Sequence, residues 1–263
     1  MRIVILGGSA AGGHGEAAPR GITALGTDEG HWVLVNVSAA VAHQLAHGQL
    51  AATHPELAHA QMRAVVLTDG QLEHVGGLLA LRDGRAIDLY ATPAVFEDLT
   101  TTLPVLPVLQ HYCGVHWHVV PVAGDTRVAS FRVEGMPTLE FTALATQMPA
   151  LPHSAHHRLQ QVGDSIALAV RDLVTGQRVF CAPGLTRIGA LEFDWMREAD
   201  CLLVDGPAAG DTLPPGADPD WMELLSGLPA RHKVLFAGAG ASQQPGLAAR
   251  GIELAYDGME IEL

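Results

Sequence analysis

Residues 64–79 read AVVLTDGQLEHVGGLL, and the order of residue types in this stretch decides the fold. Ala64 to Leu67 is an unbroken apolar run with two adjacent valines, followed by a turn signal, which is the pattern of a strand buried on both faces of a sheet. Polar groups begin where the run ends: Thr68, Asp69, Gln71, Glu73 and His74 fall within seven positions. Val75, Leu78 and Leu79 then take the spacing of one helical face. The polar cluster is thereby placed on a strand-to-helix turn, where α/β proteins build their sites.

Outward from this turn, strands and helices alternate along the chain. Strands are expected at 2–6, 32–37, 64–67, 87–91, 139–145, 166–170, 178–182, 201–204, 233–236 and 252–256. Helical periodicity marks 39–49, 75–81, 94–101, 191–198 and 221–225. Pro93 suits a first helical position with Thr92 as its cap. Hairpin-like strands in the middle of the chain point to mixed sheets, so two sheets face to face with helices outside are expected. The loop-rich segments are 148–163 and 206–218, and neither has the composition of a linker. One domain over residues 1–263 is the expected organisation.

With 263 residues and 48% hydrophobic content the chain can bury a full core. A net charge of −13 and a pI near 5.4 argue against nucleic acid or an anionic membrane as the main partner. No stretch reaches the roughly 18 apolar residues of a spanning helix, and the start, MRIVILGG, is interrupted too early for a signal peptide. A cytoplasmic protein is expected. Cys113, Cys181 and Cys201 are widely separated and form no zinc motif, and the last two read as reduced core thiols. Gly7, Gly8, Gly12 and Gly13 do not have the spacing of a dinucleotide fingerprint and read as a tight turn.

The stretch LTDGQLEHVGGLLALRDGRAIDLYATPAVFEDLTT, followed by FCAPGL, CLLVDG and the terminal GIELAYDGMEIEL, resembles the PqqB family of pyrroloquinoline quinone biosynthesis, a branch of the metallo-β-lactamase superfamily. The likeness runs from the first strand to the last residue. It implies an α/β fold, a metallo-β-lactamase-like αβ/βα sandwich of two mixed sheets with helices on the outer faces, and a site at the edge where the sheets open. It also implies iron-dependent, oxygen-using hydroxylation of a tyrosine in a short precursor peptide. Dimerisation is compatible with it.

Against the superfamily's HxHxDH ligand pattern, the resemblance puts Asp69 first, Gln71 third, Glu73 fifth and His74 sixth. Carboxylate and imidazole are acceptable donors for iron or zinc, whereas a glutamine amide is a weak one. The family's later histidines have no counterpart: the segment after CLLVDG is PAAGDTLPPGADPD, and Ala237 stands where the second is usual. The family's cysteine-rich zinc segment near the amino terminus is also absent. A two-metal hydrolase, with ions about 3.5–4 Å apart held from several loops, is therefore not expected.

A single iron or zinc ion held by Asp69, Glu73 and His74 stays open, with Asp205 of LLVDG in support and His153 or His156 of PHSAHH completing the set. The competing reading makes the histidine-rich loop solvated and Asp205 a turn former. His111, His116 and His118 beside Cys113 form another histidine cluster, with His116 and His118 on one face of a strand. Asp257 before Gly258 suits a turn, and Arg187 is either a carboxylate binder or a surface arginine. Two functions follow. One is a metal-dependent oxygenase acting on a tyrosine-type amino acid or peptide; the other is a non-catalytic relative that binds a peptide, a cofactor intermediate or a catalytic partner subunit.

Overall fold

The computed structural model describes residues 1–7, 21–27, 30–57, 61–157, 159–205, 221–236 and 244–263. Gly8, Gly12, Gly13, His14, the 206–218 loop and Ala237 lie outside the described residues.

The first sheet begins with β1 (Arg2–Gly7), β2 (Ile22–Gly26) and β3 (His31–Val35), antiparallel neighbours in that order. After α1 (Ala39–Ala46) and α2 (Leu50–Thr53), β4 (Gln61–Val66) lies parallel to β3. The short α3 (Leu72–Val75) leads to β5 (Ile87–Ala91), and α4 (Pro93–Thr100) with α5 (Val105–Leu109) leads to β6 (Val115–Val119), both strands parallel to β4. Thr92 caps α4 through Val95 N, with Pro93 in the first turn, as the TP pair requires.

The second sheet starts with the antiparallel β7 (Val128–Phe131), β8 (Leu139–Ala145), β9 (Ile166–Asp172) and β10 (Arg178–Ala182). It continues in parallel through β11 (Cys201–Val204), β12 (His232–Leu235) and β13 (Glu253–Leu254), with α6 (Ala190–Arg197), α7 (Trp221–Gly227) and α8 (Gln244–Ala248) between them. The chain then returns to the first sheet as β14 (Met259–Glu262), antiparallel to β1. Each sheet has seven strands among the described residues, and both are mixed.

Period-two alternation explains the layering. Ile3 and Ile5 of β1, Ala64 and Val66 of β4, and Val179 and Cys181 of β10 enter the core between the sheets. Their neighbours Val4, Leu6, Val65 and Leu67 face α1 to α5, while Phe180 and Ala182 face α6 to α8. Strands apolar on both sides are what a sheet covered on both faces demands, and the result is an αβ/βα sandwich.

Several elements lie outside the periodic signal. β2, ITALG, is too short and glycine-ended to stand out; β7 and β14 are edge strands whose outer residues are exposed. Pro107 masks α5, although it occupies the first turn, where a missing N–H is tolerated. The helix expected over 75–81 is instead α3 followed by a 3-10 stretch, Gly76–Leu81. Within this stretch Gly77 packs so closely on the start of α1 that a Cβ would stand 2.3 Å from Ser38 O.

Gly77→Ala should therefore destabilise the protein by about 1–3 kcal/mol or more, because the obstructing atoms are backbone; urea midpoints measure it. Burial pushes the Cys181 thiol up to about 12 and raises Cys201 as well. A thiol reagent at neutral pH should label Cys113 alone in the native protein and all three cysteines once it is unfolded.

Candidate functional site

The carboxyl end of β4 is joined to the second sheet. Thr68 O accepts from Ile166 N at 2.8 Å, and Asp69 bridges Ser165 in antiparallel fashion. The turn that follows β4 is thus held between both sheets. Asn36, just after β3 and at φ 61°, supports it from the other side. Its Oδ1 accepts from Thr68 N (3.0 Å), and its Nδ2 donates to Gly21 O (3.2 Å) and Thr68 Oγ1 (2.9 Å). Thr68 then has its single hydroxyl proton available for Asp69 Oδ2 at 3.0 Å.

Asp69 is completely buried. Its carboxylate accepts from Thr68 Oγ1, from Gln71 N (2.9 Å) and from His74 Nδ1, which lies 2.8 and 2.9 Å from its two oxygens. Burial alone would raise this carboxyl. Attraction to His74 and the hydrogen bonds from His74, Gln71 and Thr68 outweigh burial and hold it below the ordinary aspartate value of 3.8. Because Nδ1 donates to Asp69, the buried His74 ring is fixed in orientation. Its Nε2 faces Gly21, 3.2 Å from where a Cβ on that residue would stand.

Gly184, on the turn after β10 and at φ 83°, joins the remaining parts. A Cβ there would lie 3.0 Å from Gln71 Nε2, 3.4 Å from Met148 Sδ and 3.6 Å from Asp69 Oδ2. Gly184 N donates to Asp205 Oδ2 at 2.7 Å, so Asp205, at the end of β11, reaches the same place. Gln71 Nε2 donates to Met148 Sδ at 3.3 Å. Asp69, Gln71 and His74 from the end of β4 and Asp205 from the end of β11 thus lie around Gly184 at the end of β10.

The other expected ligands are placed differently. Glu73 is exposed on α3. His153 Nε2 bonds Gly70 O at 3.0 Å, at the edge of the turn. His156 Nε2 pairs with Glu97 at 3.1 Å and its Nδ1 accepts from Gln161, which ties it to the surface of α4. Asp98, buried on α4, anchors this loop by accepting from Ser154 Oγ and Ala155 N. His116 and His118 share Asp88 Oδ1 on the face of β5 and β6, and Asp257 lies 3.7 Å from His54. Asn36, Asp98, Met148 and Gly184 escape a motif search. An Asn between a strand and the Ser38 cap, and an Asp on the apolar face of α4, are the only sequence signals for the first two.

Among the described residues no group of three or more His, Cys, Asp or Glu side chains is arranged to hold a metal ion. Asp69 already accepts at both oxygens, and Gln71 offers only a neutral amide turned toward a thioether.

Residues 31–236 match the beta-lactamase superfamily domain. Coenzyme PQQ synthesis protein B of Methylobacillus flagellatus is 35% identical over 259 residues, covering 89% of this chain and 84% of that protein. The chain belongs to the coenzyme PQQ synthesis protein B family. Its counterpart in Azotobacter vinelandii is 33% identical with full coverage of both chains, and that of Cupriavidus necator is 37% identical over 88% of this chain and 83% of the other. The fold is that of Zn(2+)-bound PqqB from Methylobacterium extorquens (TM-score 0.75, 21% identity, full coverage of both chains). A diphosphatase of the PhnP family shares it at a TM-score of 0.68 and 16% identity, over 100% of this chain and 97% of that one.

Asp69→Asn turns one acceptor of the buried pair into a donor that faces other donors, and should cost about 3–5 kcal/mol, the usual range for a broken buried pair. The depressed Asp69 value gives the sign of the pH effect. The stabilisation is complete above 3.8 and is lost as pH falls through the lower folded value. Urea midpoints on either side of pH 3.8 should show a steeper acid loss in the wild type than in Asp69→Asn.

Proposed function

We propose that this chain serves pyrroloquinoline quinone biosynthesis as a non-catalytic family member that holds a small peptide or amino-acid-derived intermediate at the strand ends around Gly184. The saturation of Asp69 carries this reading. A carboxylate with both oxygens engaged by Thr68, Gln71 and His74 is built to orient an imidazole. Around it stand an oriented His74 ring, the Gln71 amide and Asp205, side chains whose chemistry is hydrogen bonding.

A second reading, metal-dependent hydroxylation of a tyrosine-type residue at one iron or zinc ion, is favoured by a specific feature. A carboxylate on Nδ1 is also the usual way of orienting a metal-binding imidazole, and the Methylobacterium relative of the same fold was solved with zinc.

Two measurements separate the readings: elemental analysis of untagged protein purified without chelator under low oxygen, then incubated with ferrous or zinc ion, and calorimetric titration with N-acetyl-tyrosine amide. Binding of the amide, weakened in His74→Ala, with metal far below stoichiometric is the expected result. A stoichiometric ion that disappears in His74→Ala would replace the first reading with the second.

A further inference from the structure

We infer that Arg127 and Arg187 form a subsite for the carboxylate of an amino-acid-derived ligand, beside the Gly184 turn. The inference rests on the binding reading given above. Both arginines line an open cavity of about 190 Å³, together with Gln147, Leu191 and Glu192. The cavity adjoins the site along two segments. Gln147 precedes Met148, the partner of Gln71, and Arg187 lies three residues after Gly184; Thr186 Oγ1 ties the segments by donating to Gln147 O at 2.8 Å.

A shared cavity sets this pair of cations apart from the other arginines. Acidic residues outnumber Lys and Arg by 28 to 15, and Arg2, Arg82, Arg132, Arg178 and Arg197 each lie against a carboxylate. Arg127 and Arg187 are exposed and share one cavity, and their guanidinium groups have no hydrogen-bond or ion-pair partner among the described residues. Two guanidinium forks with their donors available suit a planar, bidentate oxyanion.

Glu192 selects among oxyanions. Its carboxylate accepts from Gly189 N at 2.9 Å and so closes the first turn of α6 to an incoming anion. Two cations against this one resident carboxylate leave a single positive charge, which a carboxylate balances and a phosphate, at about −1.5 to −2 near neutral pH, exceeds. The volume also points to an end group, since pockets that enclose a whole small ligand run to about 300–1,000 Å³.

Calorimetry on the full chain with N-acetyl-tyrosine, N-acetyl-tyrosine amide and inorganic phosphate tests the assignment. The acid should bind about tenfold more tightly than the amide. Arg127→Gln and Arg187→Gln should each remove most of that difference while leaving the amide affinity unchanged. Acid and amide binding alike would overturn the arginine assignment and leave the reading of the strand-end site intact. Phosphate binding that depends on both arginines and resists displacement by the acid would overturn the choice of carboxylate. If neither tyrosine derivative binds, both readings fall together.

Discussion

A carboxylate removed from water at the junction of two apolar sheets has to be surrounded by donors, and this requirement organises one end of the molecule. Asp69 finds its donors locally, in Thr68 and Gln71, and four residues beyond Gly70 in His74. Each donor must itself be held. Asn36 holds Thr68 through both its backbone and its hydroxyl, and its own left-handed backbone brings the side chain back toward β4. Ser165 and Ile166 hold the turn from the opposite sheet. The site end is therefore a chain of dependencies with Asp69 at its centre, and unpaired members would be costly in so dry a place.

Close approach is the second condition, and it falls on two glycines. At Gly21 a Cβ would lie 2.3 Å from Pro183 Cβ, and at Gly184 it would lie 3.0 Å from the Gln71 amide. Both also have positive φ, so they are required for conformation as well as space. Bringing β10 and β11 this near to β4 puts Asp205 within reach of a turn more than 130 positions earlier in the chain, through one backbone N–H.

The architecture was largely legible because strands buried on both faces announce themselves as apolar runs, as in Ala64 to Leu67 and Cys201 to Val204. Elements with one wet face were not: β7 reads VASF, and its alternation of exposed and half-buried residues falls below any strand threshold. At the site, LTDGQLEH put the polar cluster on a strand-to-helix turn, but the motif could not say how its residues divide their roles. That Asp69 faces His74 while the adjacent-looking Glu73 points to water follows from one turn of α3, and that His156 is drawn off by Glu97 follows from where α4 lies. Pairings between distant segments leave no local trace.

The exchanges relative to the HxHxDH pattern are coherent in charge. Asp69 adds a negative charge where the pattern has an imidazole, Gln71 puts a neutral and weaker donor in place of another, and Glu73 keeps the charge of the shorter acid. Together they place an aspartate on the imidazole that remains and an amide beside a thioether, so the local charges are met by protein donors. A turn balanced in this way can hold its shape by itself, which is the property a binding surface needs. The arginines that could meet a ligand's charge stand one step outside, in the cavity between residues 127 and 192. Orientation is supplied within the sandwich and charge recognition at its rim, where partly hydrated guanidinium groups can still exchange water for an anion.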